Sequence, residues 1–160
     1  MQQAAAHDDR APLARAIALA TESAGNGGGP FGALVVTADG RAFEGTNQVT
    51  AANDPTAHGE VMAIRTACAE LGVFELSGAV LYTSCEPCPM CLAAALWARI
   101  ERVVFAADRH DAAAAGFDDA AFYAYFETAD RSRMPVRQQP LESRVAPFDA
   151  WRENASRIDY

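Results

Sequence analysis

The sequence predicts an α/β fold, specifically a three-layer α/β/α sandwich. Three observations carry this. Segments of helical periodicity alternate with short apolar, β-branched runs between residues 10 and 107; one clear hairpin signal opens the sheet; and both motifs able to bind a metal fall where a strand hands over to a helix. A chain of 160 residues suits a single domain spanning 1–160 with one core, burying roughly two-thirds of the surface exposed when unfolded. No repeat or independent linker interrupts it.

Leu13, Ile17 and Ala20 recur at helical spacing, which predicts a first helix from about 10 to 24, stopped by Gly25-Asn26-Gly27-Gly28-Gly29-Pro30. Ala33–Thr37 and Ala42–Asn47 flank Asp39-Gly40 and read as a hairpin. A second helix starts near Thr56 or His58, turns Val61, Ile64, Ala67, Cys68 and Leu71 inward, and stops at Gly72. Ala79–Thr83 is strand-like and leads into a cysteine-rich loop, followed by a helix through Leu92, Leu96 and Trp97 and a strand over Arg102–Ala106. Further on, Ala112–Ala115 look helical, Phe122, Tyr123 and Phe126 are apolar, and Arg131–Pro135 read as a loop.

His58-Gly59-Glu60 and Pro87-Cys88-Pro89-Met90-Cys91 carry the chemistry. One imidazole and two thiolates are ligand types that Zn²⁺ prefers, and three protein ligands leave a fourth corner for solvent, the mark of a catalytic site. Zinc in such a site drives bound water toward a pKa of about 7. Cys88 and Cys91, three apart, share one helical face, and Pro87 and Pro89 suit a helix entry, whose positive end favours thiolates. Glu60 stands two residues from His58, whereas paired ligands on a helix are three or four apart, so it reads as a general base rather than a ligand. The pattern H-x-E…P-C-x-x-C resembles the signature of the zinc-dependent nucleobase deaminases. The alternative is a closed structural zinc site, for which Cys85 is the nearby fourth candidate; Cys85 reads more simply as a strand-end residue and Cys68 as core.

Four cysteines, three of them clustered, suit metal ligation in a reducing compartment, and the first ten residues lack a basic start followed by an apolar run, so a cytoplasmic protein is expected. No stretch reaches the roughly 18 apolar residues of a membrane span. Thirteen Lys and Arg against 21 Asp and Glu leave a net charge of −8, which repels phosphate backbones, argues against nucleic acid as a partner and favours a small uncharged substrate.

Beyond the zinc motifs, Gly29-Pro30-Phe31-Gly32-Ala33, Asn53-Asp54-Pro55-Thr56-Ala57-His58, Tyr82–Cys91, Ala115-Gly116-Phe117-Asp118-Asp119, Pro147–Arg152 and the terminal Tyr160 resemble the cytidine-deaminase-fold guanine deaminases of bacteria. The resemblance covers most of residues 25 to 160. It implies a cytidine deaminase-like fold with a five-stranded mixed sheet, one Zn²⁺ per subunit on His58, Cys88 and Cys91, and hydrolysis of guanine to xanthine and ammonia with Glu60 as proton shuttle. It further implies that Phe31 stacks on the purine, that Asn47 and the backbone amide of Gly59 hydrogen-bond it, and that Asp119 helps to expel the amine. A homodimer is implied as well, with the carboxyl-terminal segment, about 141–160, swapped so that Tyr160 enters the partner's pocket.

Each role has a structural counterpart. Asn47 could be a strand-end turn residue, Phe31 a core aromatic, and Asp118 or Asp119 the N-cap of a helix. Trp97 is a candidate for the pocket wall or for the core, His110 and Asp111 read as a solvated loop pair, and Trp151 and Arg152 pack the terminal helix. Gly59 stands where relatives commonly carry alanine, which predicts a looser first turn and a wider pocket. Ala98–Phe105 also resembles tRNA adenosine deaminases, one rival reading. The others are deamination of guanosine, cytosine or an aminotriazine, and a non-catalytic, zinc-stabilised purine-binding scaffold.

Overall fold

The computed structural model describes residues 8–160; of the amino-terminal reading of Met1–Arg10, the first seven residues lie outside it. Two compact units result, one ending at Ala124 and the other comprising Tyr125–Tyr160.

In the first unit, helix α1 (Arg10–Gly25) leads to strands β1 (Gly32–Val36) and β2 (Ala42–Thr46). The short helix α2 (Val49–Ala52), which periodicity does not reveal, precedes α3 (Gly59–Leu71), β3 (Val80–Cys85), α4 (Pro89–Trp97) and β4 (Arg102–Ala107). Helix α5 (Arg109–Ala114) follows, and α6 (Ala120–Glu127) begins in this unit and ends in the next. Strand order is β2-β1-β3-β4, with β1 antiparallel to both neighbours and β3 parallel to β4. The sheet is mixed, as expected, but among the described residues it has four strands, not five. The reason lies beyond Ala107. Asp108 caps α5 through a reciprocal capping box with Asp111, which commits that segment to helix, and residues 131–141 carry two prolines and no alternating apolar pattern to pair with β4.

Alternation along the strands assigns the layers. Ala33 and Val35 of β1, Phe43 of β2 and Leu81 of β3 share a buried cluster with Ala63, Ile64 and Ala67 of α3 and Ala95 of α4. The opposite face meets α1. A Cβ on Gly32 would lie 2.6 Å from the Ala16 carbonyl oxygen, Glu44 pairs with Arg15, and the Tyr82 hydroxyl donates to Asp9 at 2.8 Å, which Arg102 also grips through two nitrogens. Three layers are therefore confirmed. On the inner face Gly45 is equally constrained, since a Cβ there would come within 2.3 Å of the Ala63 nitrogen and the Gly59 carbonyl oxygen; α3 rests directly on the backbone of β2.

Turn residues behave as their chemistry dictates. Gly40 closes the hairpin at φ +84°, and Gly72 ends α3 in the left-handed conformation at φ +67°. The second unit holds a 3₁₀ turn (Glu142–Val145) and helix α7 (Ala146–Glu153). Among its described residues none is buried, and Val136, Leu141, Phe148, Ile158 and Tyr160 are exposed. Trp151 meets Tyr160 edge to face at 6.1 Å. Among the described residues no helix is long and apolar enough to cross a membrane.

Candidate metal centre and active site

His58 and Cys88 occupy equivalent places: each is the N-cap of its helix, extended at ψ 155° and 167°, with a side chain not engaged in capping. A helix N-cap normally spends its side chain on the first-turn amides. Here both are free to face each other. Pro89 occupies the first turn of α4, and Cys91, one turn in, is fully buried.

The three donors form a nearly equilateral triangle. His58 Nδ1 lies 3.6 Å from Cys88 Sγ and 3.5 Å from Cys91 Sγ, and the sulfurs are 3.6 Å apart. A tetrahedral zinc with ordinary bond lengths would set the nitrogen–sulfur edges at about 3.6 Å and the sulfur–sulfur edge at about 3.8 Å. Ligand type, count and spacing therefore fit the ion. Among the described residues these three form the one cluster able to hold a metal; Cys85 is not part of it, its sulfur directed instead to the Asp108 carbonyl at 3.6 Å. The closed structural site is thus not assembled.

Protons in the triangle are shared. Cys88 is drawn down to about 4, chiefly by its hydrogen bond with Cys91 and further by the His58 imidazole, while the same bond and burial push the Cys91 thiol up. His58 is raised above its ordinary value, first by its hydrogen bond to Cys88. Metal ligation requires neutral imidazole and thiolates, so binding an ion releases protons here.

Glu60 sits in the first turn of α3 and is only 8% exposed. Burial raises its pKa, opposed by the hydrogen bond from its own backbone N–H, and its carboxyl interacts with the Cys91 sulfur. A carboxyl moved toward neutrality beside the donor triangle can both take and return a proton. Asp119, at the entry to α6, is also raised, first by burial and then by the negative charge of Cys88, whose field reaches it.

Phe31, Asn47 and Gly59 are gathered around one carbonyl. The Phe31 oxygen accepts from the Asn47 backbone N–H at 3.1 Å, and a Cβ on Gly59 would lie 3.2 Å from that same oxygen. The missing methyl at Gly59 is thus filled by the backbone of Phe31 and does not open the pocket, contrary to the expectation from sequence. The Asn47 side-chain oxygen accepts from the Val49 N–H two residues on, at 3.1 Å, so its turn role is realised; Asn47 also lines an open groove of about 350 Å³ with Leu19, Ser23, Asn26 and Gln48, which neither Glu60 nor any donor of the triangle borders. Phe31 packs edge-on against Phe117, centroids 5.0 Å apart.

Trp97 ends α4, some six residues beyond Cys91 and therefore about 9 Å along the axis, and is 65% exposed; in this chain it lies outside the core. Tyr160 is 75% exposed in the second unit. His110 and Asp111 lie in α5, exposed, with Asp111 serving the capping box. Sequence reasoning missed three residues next to the cysteine loop. Glu86 binds Arg109, Arg109 stacks on Tyr123 at 4.0 Å, and the Tyr123 hydroxyl donates to the Pro87 carbonyl at 2.8 Å. Only the position of Glu86, immediately before Pro87, hinted at any of this.

Comparison with known proteins agrees with the geometry. Residues 6–107 match the family model of the cytidine and deoxycytidylate deaminase zinc-binding region. The guanine deaminase of Bacillus subtilis is 49% identical over 150 residues, covering 92% of this chain and 96% of that protein, and its crystal structure superposes with a TM-score of 0.90. The guanine deaminase of Nitrosomonas europaea is 33% identical, with a TM-score of 0.64 over 73% of this chain and 67% of that one. A tRNA-specific adenosine deaminase of Agrobacterium fabrum is 47% identical over 79 residues, about half of each chain. With a donor triangle of zinc dimensions at two helix entries and a matching family model over more than half its length, the chain belongs to the cytidine and deoxycytidylate deaminase zinc-binding family.

Proposed function

We propose that this protein is a guanine deaminase, hydrolysing guanine to xanthine and ammonia. The observation that carries the reading is the buried carboxyl of Glu60 set against the His58–Cys88–Cys91 triangle, in a chain alike over nearly its whole length to Bacillus subtilis guanine deaminase. Zinc, held by His58, Cys88 and Cys91, supplies Lewis acidity that makes water nucleophilic near neutral pH.

The chain's own residues move the protons. Glu60 accepts one proton from the attacking water and passes it to the adjacent ring nitrogen of guanine; it then takes the remaining proton of the added hydroxyl and gives it to the amino group, so that the C–N bond breaks, a carbonyl is left at the ring carbon and ammonia departs. Asp119 accepts a hydrogen bond from the ring N–H or amino group and assists the departure. Phe31 stacks on the purine face, and Asn47 together with the Gly59 N–H reads its polar edge. Trp97 forms part of the pocket wall, and Tyr160 completes the pocket from a second subunit.

That last assignment rests on a homodimer in which about 141–160 is exchanged, within a single domain of 1–160. It is supported by the second unit's lack of any buried residue beside its exposed Leu141, Phe148 and Ile158, and by the exposed Leu96 and Trp97 of α4, apolar surface that a single chain leaves uncovered. Light scattering should give twice the chain mass, and deletion of 141–160 should abolish turnover; a monomeric, active full-length protein would remove the swap. The cytoplasm is the compartment proposed, consistent with four cysteines that form no disulfide.

The test is ammonia release and ultraviolet detection of product from zinc-loaded protein offered guanine, guanosine, adenine, cytosine and an adenosine-bearing tRNA hairpin. Xanthine from guanine alone is expected. Turnover of another substrate with guanine inert would keep the proton shuttle and discard the assignments of Asn47, Asp119 and Tyr160.

A further inference from the structure

Resting on the function proposed for Asp119, we infer that Glu86, Arg109 and Tyr123 form a brace that holds Asp119 in register with the Cys88 loop, and that Tyr123 is its positioning residue. The contacts close a circuit. Glu86 directly precedes Pro87-Cys88, and its backbone N–H donates to the Ala107 carbonyl at 2.8 Å. Its carboxylate accepts from the Arg109 backbone N–H at 3.0 Å and from the Arg109 guanidinium, also at 3.0 Å. That guanidinium lies 4.0 Å from the Tyr123 ring centroid, and the Tyr123 hydroxyl returns to Pro87, beside Glu86, at 2.8 Å. Charge-assisted hydrogen bonds and a cation–π contact are directional, so the circuit admits little sliding.

Tyr123 lies one helical turn beyond Asp119. The Phe122 and Tyr123 N–H groups both donate to the Asp119 carbonyl, at 2.8 and 3.4 Å, so α6 cannot shift along its axis without moving Asp119 and Tyr123 together. Packing holds this segment through the edge-on contact of Phe117 with Phe31, but neither α5 nor α6 contains a buried residue, and the connection between them turns through Gly116 at φ +96°. A polar tether therefore joins that contact in positioning Asp119 relative to the Cys88 loop, and the hydroxyl of Tyr123 is the point where α6 is fastened to the metal loop. The two groups it relates are the acid that serves the departing amine and a donor of the metal site, whose separation the reaction must hold constant.

The experiment is a double-mutant cycle on zinc-loaded full-length protein with guanine, using Tyr123→Phe, Asp119→Asn and the pair, with zinc content and Tm measured for each. Tyr123→Phe is expected to lower kcat about 10-fold with KM changed less than about twofold, because misplacing a reacting group by well under 1 Å has effects of that size. In the Asp119→Asn background the same substitution should change kcat less than about twofold, as expected of residues acting through one another. Zinc content should stay the same, and Tm should fall by no more than the roughly 2–4 °C that loss of a single hydrogen bond brings in a chain of this size. Full additivity, an unaffected kcat for Tyr123→Phe, or loss of zinc from it would each overturn the brace. Full turnover by Asp119→Asn would remove the function proposed for Asp119, and the brace with it.

Discussion

The two halves of the metal centre occupy the same place in their helices yet are not held in the same way. His58 and Cys88 are both extended N-caps. The His58 half is built into the interior: α3 lies so close to the sheet that Gly45 meets the Ala63 nitrogen and the Gly59 carbonyl, while Gly59 meets the Phe31 backbone. The Cys88 half also has buried anchors in Pro87, Cys91 and Ala95, but it adds polar ties to Ala107, Arg109 and Tyr123, and the outer side of α4 leaves Leu92, Leu96 and Trp97 exposed. Backbone packing cannot be relieved by a rotamer change, whereas a tether can be loosened one bond at a time. Glu60 is thus placed by backbone packing, and Asp119 by a set of directional polar contacts.

Removing a donor tests whether the halves are equal as ligands. Cys88→Ala should lose the zinc and all turnover while the sheet stays folded, since its core cluster includes no metal donor; a variant that keeps stoichiometric zinc by elemental analysis would break the donor assignment. Next comes Glu60→Gln, expected to lower guanine turnover by about 10²- to 10⁴-fold with zinc retained, the range for a lost proton-transfer group. Undiminished xanthine formation would show that the His58 half does not carry the shuttle.

Gly45→Ala probes the packed half directly. The added methyl overlaps backbone atoms, not a movable side chain, so a loss of about 1–3 kcal/mol is expected, or roughly 2–12 °C in Tm. Wild-type Tm would mean that α3 can shift off the backbone of β2 at no cost. The smallest effect is on the opposite face of the same strand, where Glu44 pairs with Arg15 of α1 through two hydrogen bonds of 2.7 and 2.9 Å. The pair is about half exposed, and Glu44→Gln should therefore cost no more than about 1 kcal/mol at pH 7. Arg15 holds the Glu44 carboxyl below its usual range, so the contribution is present at neutral pH and is lost as acid protonates the folded state. Thermal melts of both proteins should converge as pH falls below the usual glutamate range and through the lowered folded-state value; a gap unchanged down to the lowest pH at which both proteins fold would exclude the ion pair as its source.

Much of the donor set was legible because metal ligation is a local code. Spacing placed Cys88 and Cys91 on one helix face, Pro89 marked the helix entry, and the offset of Glu60 from His58 excluded it from the ligands. The hairpin at Gly40 and the stop at Gly72 were legible for the same reason, since each is dictated by the conformation of one residue. Helix α2 was not, because four residues without a buried side chain leave no periodic trace. The fifth strand followed from resemblance, but the residues after Ala107 cap and prolong helices instead.

By itself the sequence determined the ligand types, the base beside them, the helix starts that present them and the three-layer architecture, because each is written within a few consecutive residues or in their period. Tertiary structure alone decided the 3.5–3.6 Å closure of the triangle between donors 30 and 33 residues apart, the filling of Gly59 by the Phe31 carbonyl, and the ties of Glu86 to Arg109 and of Tyr123 to Pro87, 23 and 36 residues apart. Such contacts depend on how the layers stack, and no local preference of the chain encodes the distance between two layers.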